Sequence, residues 1–297
     1  MVSAKNFWKN LKQNTENCFE MKAWQRQIRE KRKAEDLDAD MFGQWWKGLN
    51  ISIESASVEK ISYQQASEVI TKYEWLGNMG TTEESFGLIC DSVIVGVVCF
   101  GRTAGTSAAS AVFGESAGIN VMTLCRGACV HYAPEHSASF LISSACKQLA
   151  QEGTNGFISY ADPQAGEIGT VYQACGWIYT GVTSPTEKFI TPDGEVKDAR
   201  LVSAYTRDRR NGTLTYKRTR KEQKELMLES GHEFFTGHAK HRYVGVYGTS
   251  ASHTRKLRKQ VLYSSLPYPK RVKSQERESD NQSEGQGQFL QPAPPLI

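Results

Sequence analysis

A chain of 297 residues has room for one core-bearing domain with extensions, and its 39% apolar and 23% charged content describes a soluble globular protein with a polar surface. No run approaches the roughly 18 apolar residues that a membrane-spanning helix needs, so no membrane partner is expected. The net charge of +4 hides an asymmetry, because residues 200–277 carry 19 Lys/Arg against 6 Asp/Glu and the rest of the chain 17 against 26. Such a one-sided field attracts polyanions, nucleic acid first among them, unless the cations are spread over different faces.

The opening stretch, MVSAKNFWKNLKQ, lacks the apolar core of a secretory signal, which points to an intracellular protein. Residues 1–50 read as an N-terminal helical extension. There ENCFEMKAWQRQIREKRKAEDLDAD mixes strong helix formers with alternating charge, and Trp45 and Trp46 offer a docking point on the main domain. Residues 50–58 have strand character. A helix follows in SYQQASEVITKYEWL, with Ser62 as its cap and Gln65 three residues on in the capping-box position. SFGLIC and VIVGVVCFG, parted by Asp91 and Ser92, describe a tight antiparallel hairpin whose second strand is central in its sheet. Residues 102–118, rich in Gly and Ser, read as a flexible excursion.

NVMTLCRGACV at 120–130 is a strand, and a helix begins near Ser137, with Ala138, Leu141, Ile142, Ala145 and Leu149 on its buried face. GFISYAD at 156–162 is the next strand and completes a βαβ unit flanked by antiparallel elements. After it come a loop of small residues, a short helix around 169–175, and WIYTG. A hairpin turning at Asp193 and Gly194, a charged helix ended by Gly231 and a strand at 240–248 follow. Residues 274–297, rich in Gln, Ser, Glu, Gly and Pro, read as a disordered tail, which leaves 51–273 as the main domain. The seven cysteines are odd in number and scattered, so they form no disulfide framework.

YEWLGNMG (73–80), VVCFG (97–101), LCRGACVHYAPEHSASFLI (124–142), YADPQAGEIGTVYQACGWIYTG (160–181) and KHRYV (240–244) form an ordered set. That set closely resembles the phage Mom-type DNA modification proteins, distant members of the GNAT acyltransferase superfamily. The resemblance covers residues 50–270 or so. It implies an α/β fold with a mixed, mostly antiparallel central sheet, helices on both faces and a parallel strand pair that splays apart. It also implies an enzyme that attaches a carbamoylmethyl group to adenine N6 in phage DNA, protecting that DNA from restriction in the host cell cytoplasm.

In GNAT domains the splay opens a wedge for the donor, and amides at the following helix start face the pyrophosphate of coenzyme A. Carried onto this chain, the resemblance assigns Arg126, Gly127, Ala128, His136, Ser137, Ala138 and Ser139 to the donor. Serines stand at 137 and 139 where the superfamily pattern has glycines, which restricts the backbone there. Carbamoylmethyl joins the base through a CH₂, which direct acyl transfer from a thioester does not make. The donor is therefore acetyl-CoA with a later rearrangement or another activated glycine-like species, with iron or zinc as a further option.

Asp162 ends a strand in the crevice where parallel strands release their ligands. It either orients or deprotonates the adenine amine, or caps the turn ahead of Pro163. Arg126 carries a rigid donor fork and either binds the donor or holds Asp162. Tyr172 lies where GNAT enzymes commonly place a general acid. Tyr179 offers a stacking surface and Gln173 an amide able to read adenine's edge. Tyr73, Glu74 and Trp75 are candidates for the acceptor wall. His131 and His136, near Cys125 and Cys129, are the candidate metal ligands, although their spacing fits no standard motif.

An enzyme acting on N6 in double-stranded DNA is expected to flip the base out of the stack. Arg209, Arg210 and Arg218, with Arg207, Lys217, Arg220, Lys221, Arg255, Lys256, Arg258 and Lys259, are candidate phosphate contacts. Two other readings fit the same residues: an acyltransferase acting on a tRNA, protein or small amine, and a non-catalytic DNA-binding protein.

Overall fold

In a computed structural model, residues 23–38, 41–103, 106–114, 118–194, 196–199, 202 and 219–271 are described. Helix α1 (Trp24–Asp38) lies along the main domain, and a 3₁₀ run at Met41–Gly48 brings Trp46 flat against Tyr132, ring centroids 5.0 Å apart. Strand character at 50–58 is realised only from Ser57, where β1 (Ser57–Lys60) begins. Before it the Ser52 hydroxyl accepts from Ser55 N (3.3 Å), a side-chain turn that takes the backbone away from a ladder.

Ser62 caps α2 (Tyr63–Tyr73) and exchanges bonds with Gln65 in a full capping box, an arrangement that contributes about 1 kcal/mol. Strands β2 (Thr82–Cys90) and β3 (Val93–Arg102) are joined by Asp91 and Ser92, both at positive φ (47° and 66°). A two-residue hairpin needs that geometry to match the strand twist. The excursion at 102–118 contains a helix, α3 (Thr106–Phe113). Its alanines favour helix, and burial of Val112 and Phe113 holds it on the sheet.

Strand β4 (Asn120–Cys129) pairs antiparallel with β3. Helix α4 (Ser137–Gln151) then crosses over to β5 (Thr154–Ala161), which is parallel to β4. A 3₁₀ turn at Pro163–Ala165 and the short α5 (Thr170–Ala174) lead into β6 (Ile178–Val182). A three-stranded sheet follows, made of β7 (Glu187–Ile190), β8 (Val196–Asp198) and β9 (Glu233–Thr236) in the order β8-β7-β9. Against it packs α6 (Arg220–Glu229), through Met227 against Phe189 and Val202. Strand β10 (His241–Val246) inserts antiparallel between β5 and β6, giving the main sheet the order β1-β2-β3-β4-β5-β10-β6. Helix α7 (Ala251–Arg258) follows it.

Successive strand residues point to opposite faces, and here both faces are covered. Phe157 and Tyr243 face a cluster with Ile70 of α2 and Leu141, Ala145 and Leu149 of α4. Their neighbours Ile158 and Val244 face Val112, Phe113 and Leu257, from α3 and α7. The fold is thus α/β, a mixed and mostly antiparallel sheet with helices on both sides and one parallel pair. Ala138 departs from the buried face read for α4 and is exposed at the helix start. Among the described residues no helix is long and apolar enough to cross a membrane.

Helix α1 is tied down by polar bonds as well as rings. The Gln25 side chain donates to Tyr73 O (2.5 Å) and accepts from Trp75 N (3.2 Å), and Arg29 Nη2 donates to Val130 O (3.3 Å). Trp24 meets Trp75 edge-on at 5.1 Å.

Candidate active site at the parting of two parallel strands

Pairing between β4 and β5 runs from Asn120 and Thr154 to Thr123 and Ile158 and there stops. Beyond that point each strand follows its other neighbour. β4 stays on β3, with Phe100 opposite Leu124 and Cys99 opposite Arg126, so that Cys125 is an extra residue of a bulge. β5 stays on β10, with Tyr160 opposite Arg242 and Ala161 opposite His241. Ser159 Oγ donates to Leu124 O (3.2 Å) at the crotch of the fork.

Two cavities open around this fork. The smaller, about 320 Å³, is lined by Glu74, Trp75, Thr123 to Gly127, Ser159 to Asp162, Glu167, Tyr172 and Lys240, among others. The larger, about 890 Å³, is walled by Val97, Val98, Leu124, Leu141, Ile142 and Val171, with Arg26, Arg29, Lys270 and Arg271 at its edges. Gln25, Leu124, Gly127, Glu167, Val171 and Tyr172 line both, so these residues form the partition.

In the smaller cavity, Asp162 is 7% exposed. Its Oδ1 accepts from Gln164 N (3.0 Å), and its Oδ2 lies 3.1 Å from Lys240 Nζ. The turn-capping role is therefore present together with a cavity position. Arg126 does not hold Asp162. Its Nε donates to Asn78 O (2.6 Å), its Nη2 to Asn78 Oδ1 (2.6 Å) and its Nη1 to Cys125 O (2.5 Å), and Glu74 Oε2 lies 3.9 Å from Nε. The fork of the guanidinium is thus used to pin the loop after α2. Glu74, also 7% exposed, accepts from Leu76 N (2.7 Å) and Gly77 N (3.2 Å). Burial pushes its carboxyl up, against the pull of Arg126.

Glu167, in the partition, is likewise pushed up by burial, with Arg271 opposing. Tyr172 stacks on Trp177 (5.3 Å) and packs against Tyr243 (5.3 Å). Burial raises its phenol far above the ordinary value, so the proton stays on oxygen. A carboxyl that holds its proton more tightly than usual, sharing a cavity wall with a protonated phenol, is a pairing suited to moving protons both ways.

Other sequence candidates fall elsewhere. Tyr73 is buried in the core beside His131, its phenol raised by burial to about 12, and Tyr179 packs on Tyr243 with its hydroxyl 2.9 Å from His241 Nδ1. Neither lines a cavity at the fork. The Gln173 amide reaches the larger cavity, but its nitrogen bonds Ile168 O, Tyr243 Oη and Pro269 O (3.2, 3.1 and 3.3 Å), which ties α5 to the end of the described chain. Gly127, Ala128 and Ala138 line the larger cavity, whereas His136, Ser137 and Ser139 do not. His136 is the left-handed residue before α4 (φ 63°), and the two serine hydroxyls donate to Pro134 O and His136 O.

His131 and His136 form no metal site: His131 sits among Trp46, Tyr73 and Tyr132, and His136 is exposed. Among the described residues no three His, Cys, Asp or Glu side chains converge to hold a metal ion. Arg207, Arg209, Arg210, Lys217, Arg218 and the tail from 274 lie outside the described residues.

Sequence reasoning missed Gln25, Glu167, Lys240 and the cations of the larger cavity. A signal existed for Glu167, an isolated carboxylate between two glycines with no i,i+4 cation, and for Lys240, which opens KHRYV.

Burial also depresses the imidazoles of His131, whose side chain is 3% exposed with Asp36 Oδ2 at 3.5 Å, and His241. For His131, Asp36 opposes the depression, and Arg29, Lys33 and Lys72 add to it. The unfolded chain takes up protons below the ordinary value of 6.5 that the folded chain refuses, so stability is full at neutral pH and is lost as pH falls. The thermal midpoint is expected to drop on acidification from about pH 7 to about 5.5, and less steeply in a His131→Gln, His241→Gln double variant. Parallel profiles for the two proteins would show that neither ring is held neutral.

The family model of the Mom protein family matches residues 55–270. No curated protein matches the sequence. Among solved structures, a Bacillus subtilis acetyltransferase in complex with CoA is 9% identical, with 64% of this chain and 97% of that one covered and a TM-score of 0.33. An IAA acetyltransferase from Bacillus cereus is 10% identical, with 65% and 99% covered and a TM-score of 0.34. A tandem GNAT protein from the clavulanic acid biosynthesis pathway is 9% identical, with 75% and 80% covered and a TM-score of 0.27.

Proposed function

Because this chain belongs to the Mom protein family, matched over residues 55–270, we propose that it is a transferase that modifies adenine in DNA, adding a carbamoylmethyl-type group at N6. The observation that carries this reading is the fork itself. Two cavities of different character meet at one partition, which is what a reaction joining two substrates requires. The larger, apolar-walled cavity takes the donor, an activated glycine-like species whose electrophilic CH₂ already bears the carboxamide; transfer from acetyl-CoA would give N6-acetyladenine and would need a later step that supplies nitrogen. The smaller, carboxylate-bearing one takes an adenine flipped out of the duplex.

In this reading Asp162, steadied by Lys240, accepts a hydrogen bond from the exocyclic amine and fixes its direction of approach. The amine is a weak nucleophile, since its lone pair is delocalised into the ring. A base acting as the new bond forms removes the N6 proton, and Glu167 is suited to this by place and by its raised carboxyl. As the N6–CH₂ bond forms, the bond between that CH₂ and its carrier breaks, and the carrier leaves with the electron pair and takes a proton from Tyr172. Arg255, Lys256, Arg258 and Lys259, exposed on and just beyond α7, with Arg220 and Lys221, supply charge for the duplex backbone. Protection of phage DNA within a host cytoplasm would be the consequence of the mark.

Mass spectrometry of nucleosides from DNA co-expressed with the full chain tests the proposal. A deoxyadenosine heavier by a carbamoylmethyl group is expected. Unmodified adenine in cells that accumulate the folded protein would refute it.

A further inference from the structure

We propose that the protein has a second ligand site, for a phosphate group, in a cleft at the end of the sheet away from the fork, with Lys147 and Arg255 as its cationic donors. This site is independent of the reaction at the fork.

Strand β10 runs from His241, opposite Ala161 beside the fork, to Val246, opposite Gly156, about 17 Å further along. Past its end lies a cleft of about 830 Å³. Its walls are the C-terminal end of α4, with Lys147 and Gln151, the loop from α5 into β6, and the start of α7. Trp177 and Tyr247 line it as well, joined by a bond from Trp177 Nε1 to Tyr247 Oη (3.1 Å).

The frame of the cleft is fixed by hydrogen bonds. Ser250 caps α7 by accepting from His253 N (3.1 Å). Thr254 Oγ1 accepts from Gly248 N (2.9 Å), which holds the helix against the end of β10. One turn on, Arg258 Nη2 donates to Gly176 O (2.5 Å) and ties α7 to the loop ahead of β6.

Onto this frame the sequence places charge of one sign. Residues three apart share a helix face, so Arg255 stands beside Arg258 on the side of α7 turned to the cleft. Lys147 approaches from α4. Three cations thus meet around one hollow, and no Asp or Glu lines it. The cavities at the fork differ, since Glu167 lines both. Arg258 is engaged by Gly176 O, whereas Lys147 and Arg255 have neither a hydrogen bond nor an ion pair among the described residues. Like charges gathered in a concavity repel one another, and its walls focus their field. An anionic ligand relieves the repulsion and is drawn in by the field.

The donors narrow the ligand's class. Lys147, Arg255 and the Gln151 amide all present N–H groups, which suit the acceptor-only oxygens of a phosphate. The cleft is much larger than a bare phosphate and has aromatic residues in its wall. It therefore fits a phosphate carried on an organic group, in a free nucleotide or in the backbone of a DNA strand.

Calorimetry on the purified full chain tests the site with AMP and with a short DNA duplex, which share the phosphate, and with adenosine, which lacks it. The paired variant Lys147→Gln, Arg255→Gln should weaken AMP or the duplex about tenfold or more and leave adenosine unchanged. A loss for AMP assigns the site to a free nucleotide, and a loss for the duplex assigns it to the backbone. Lys256→Gln, Lys259→Gln removes the same charge from positions outside the cleft and should cost at most about twofold. All four side chains are exposed, so both variants should melt with the wild type.

Unchanged binding of AMP and duplex by the first variant would overturn the site, as would no binding of either probe. Equal losses in the two variants would also overturn it, giving the effect to the general field of α7. So would a parallel fall in adenosine binding, which no phosphate seat explains. None of these results touches the nucleoside mass measurement, which decides the function separately.

Discussion

Glu167→Gln is expected to lower the yield of modified deoxyadenosine by about 10² to 10⁴, the usual worth of a positioned proton acceptor. The amide keeps the size and polarity of the side chain but accepts no proton. Burial raises the carboxyl of Glu167, so in the wild type the base becomes active only as pH climbs above the ordinary value of 4.5. Modification should therefore rise with pH through that elevated range, and Glu167→Gln should remove this limb. Stability moves the other way. A folded carboxyl that binds its proton more tightly than the unfolded one loses stability as pH rises through the same range. Glu167→Gln should then melt no lower than wild type at neutral pH, which separates a chemical loss from a folding one. Asp162→Asn should also abolish modification, but it leaves Lys240 Nζ without its opposite charge and is expected to melt lower. A Glu167→Gln protein that still modifies DNA at the wild-type level would remove Glu167 from the chemistry.

Gly169→Ala is expected to destabilise the fold by about 2–5 kcal/mol, the sum of a left-handed backbone penalty and of overpacking. Gly169 precedes α5 at φ +75°, and a methyl group there would lie 2.2 Å from the Tyr243 ring. That ring has nowhere to go. It is fully buried, its hydroxyl donates to Ile168 O (2.5 Å), and it lies between Tyr172 and Tyr179 at 5.3 and 5.2 Å. Gly176→Ala is the control, with φ +67° but nothing within 4 Å of the added carbon, so only the backbone penalty of about 1–2 kcal/mol applies. Denaturant midpoints for the two variants should differ clearly. Equal losses would mean that Tyr243 can shift, and that the partition carrying Tyr172 is softer than its packing indicates.

Elements governed by short-range rules are legible in the amino-acid sequence. The Ser62–Gln65 box, the Asp91–Ser92 hairpin and the Gly231 stop each rest on residues within a few positions of one another. The helix at 106–113 is not legible in this way, because its stability comes from burying Val112 and Phe113 against Ile158 and Val244, far along the chain. Several site candidates stand out as residue types at strand ends and loops: Asp162, Tyr172, Arg126, Glu74 and Trp75 all line the smaller cavity. Their partners do not. Arg126 reaches Asn78, 48 positions away, and Asp162 meets Lys240, the residue just ahead of β10.

Local propensity, hydrophobic period and charge balance are properties of neighbouring residues, so the chain by itself determined the order of its main elements, its βαβ unit and its basic C-terminal third. Which carboxylate faces which cation depends on where β4 and β5 part and on how α1 and the segment after α7 close over that gap. Those contacts join residues 48 to 105 positions apart, and no local rule ranks one such pairing above another. Tertiary packing alone decided them, through the bulge at Cys125, the insertion of β10 and the docking of α1.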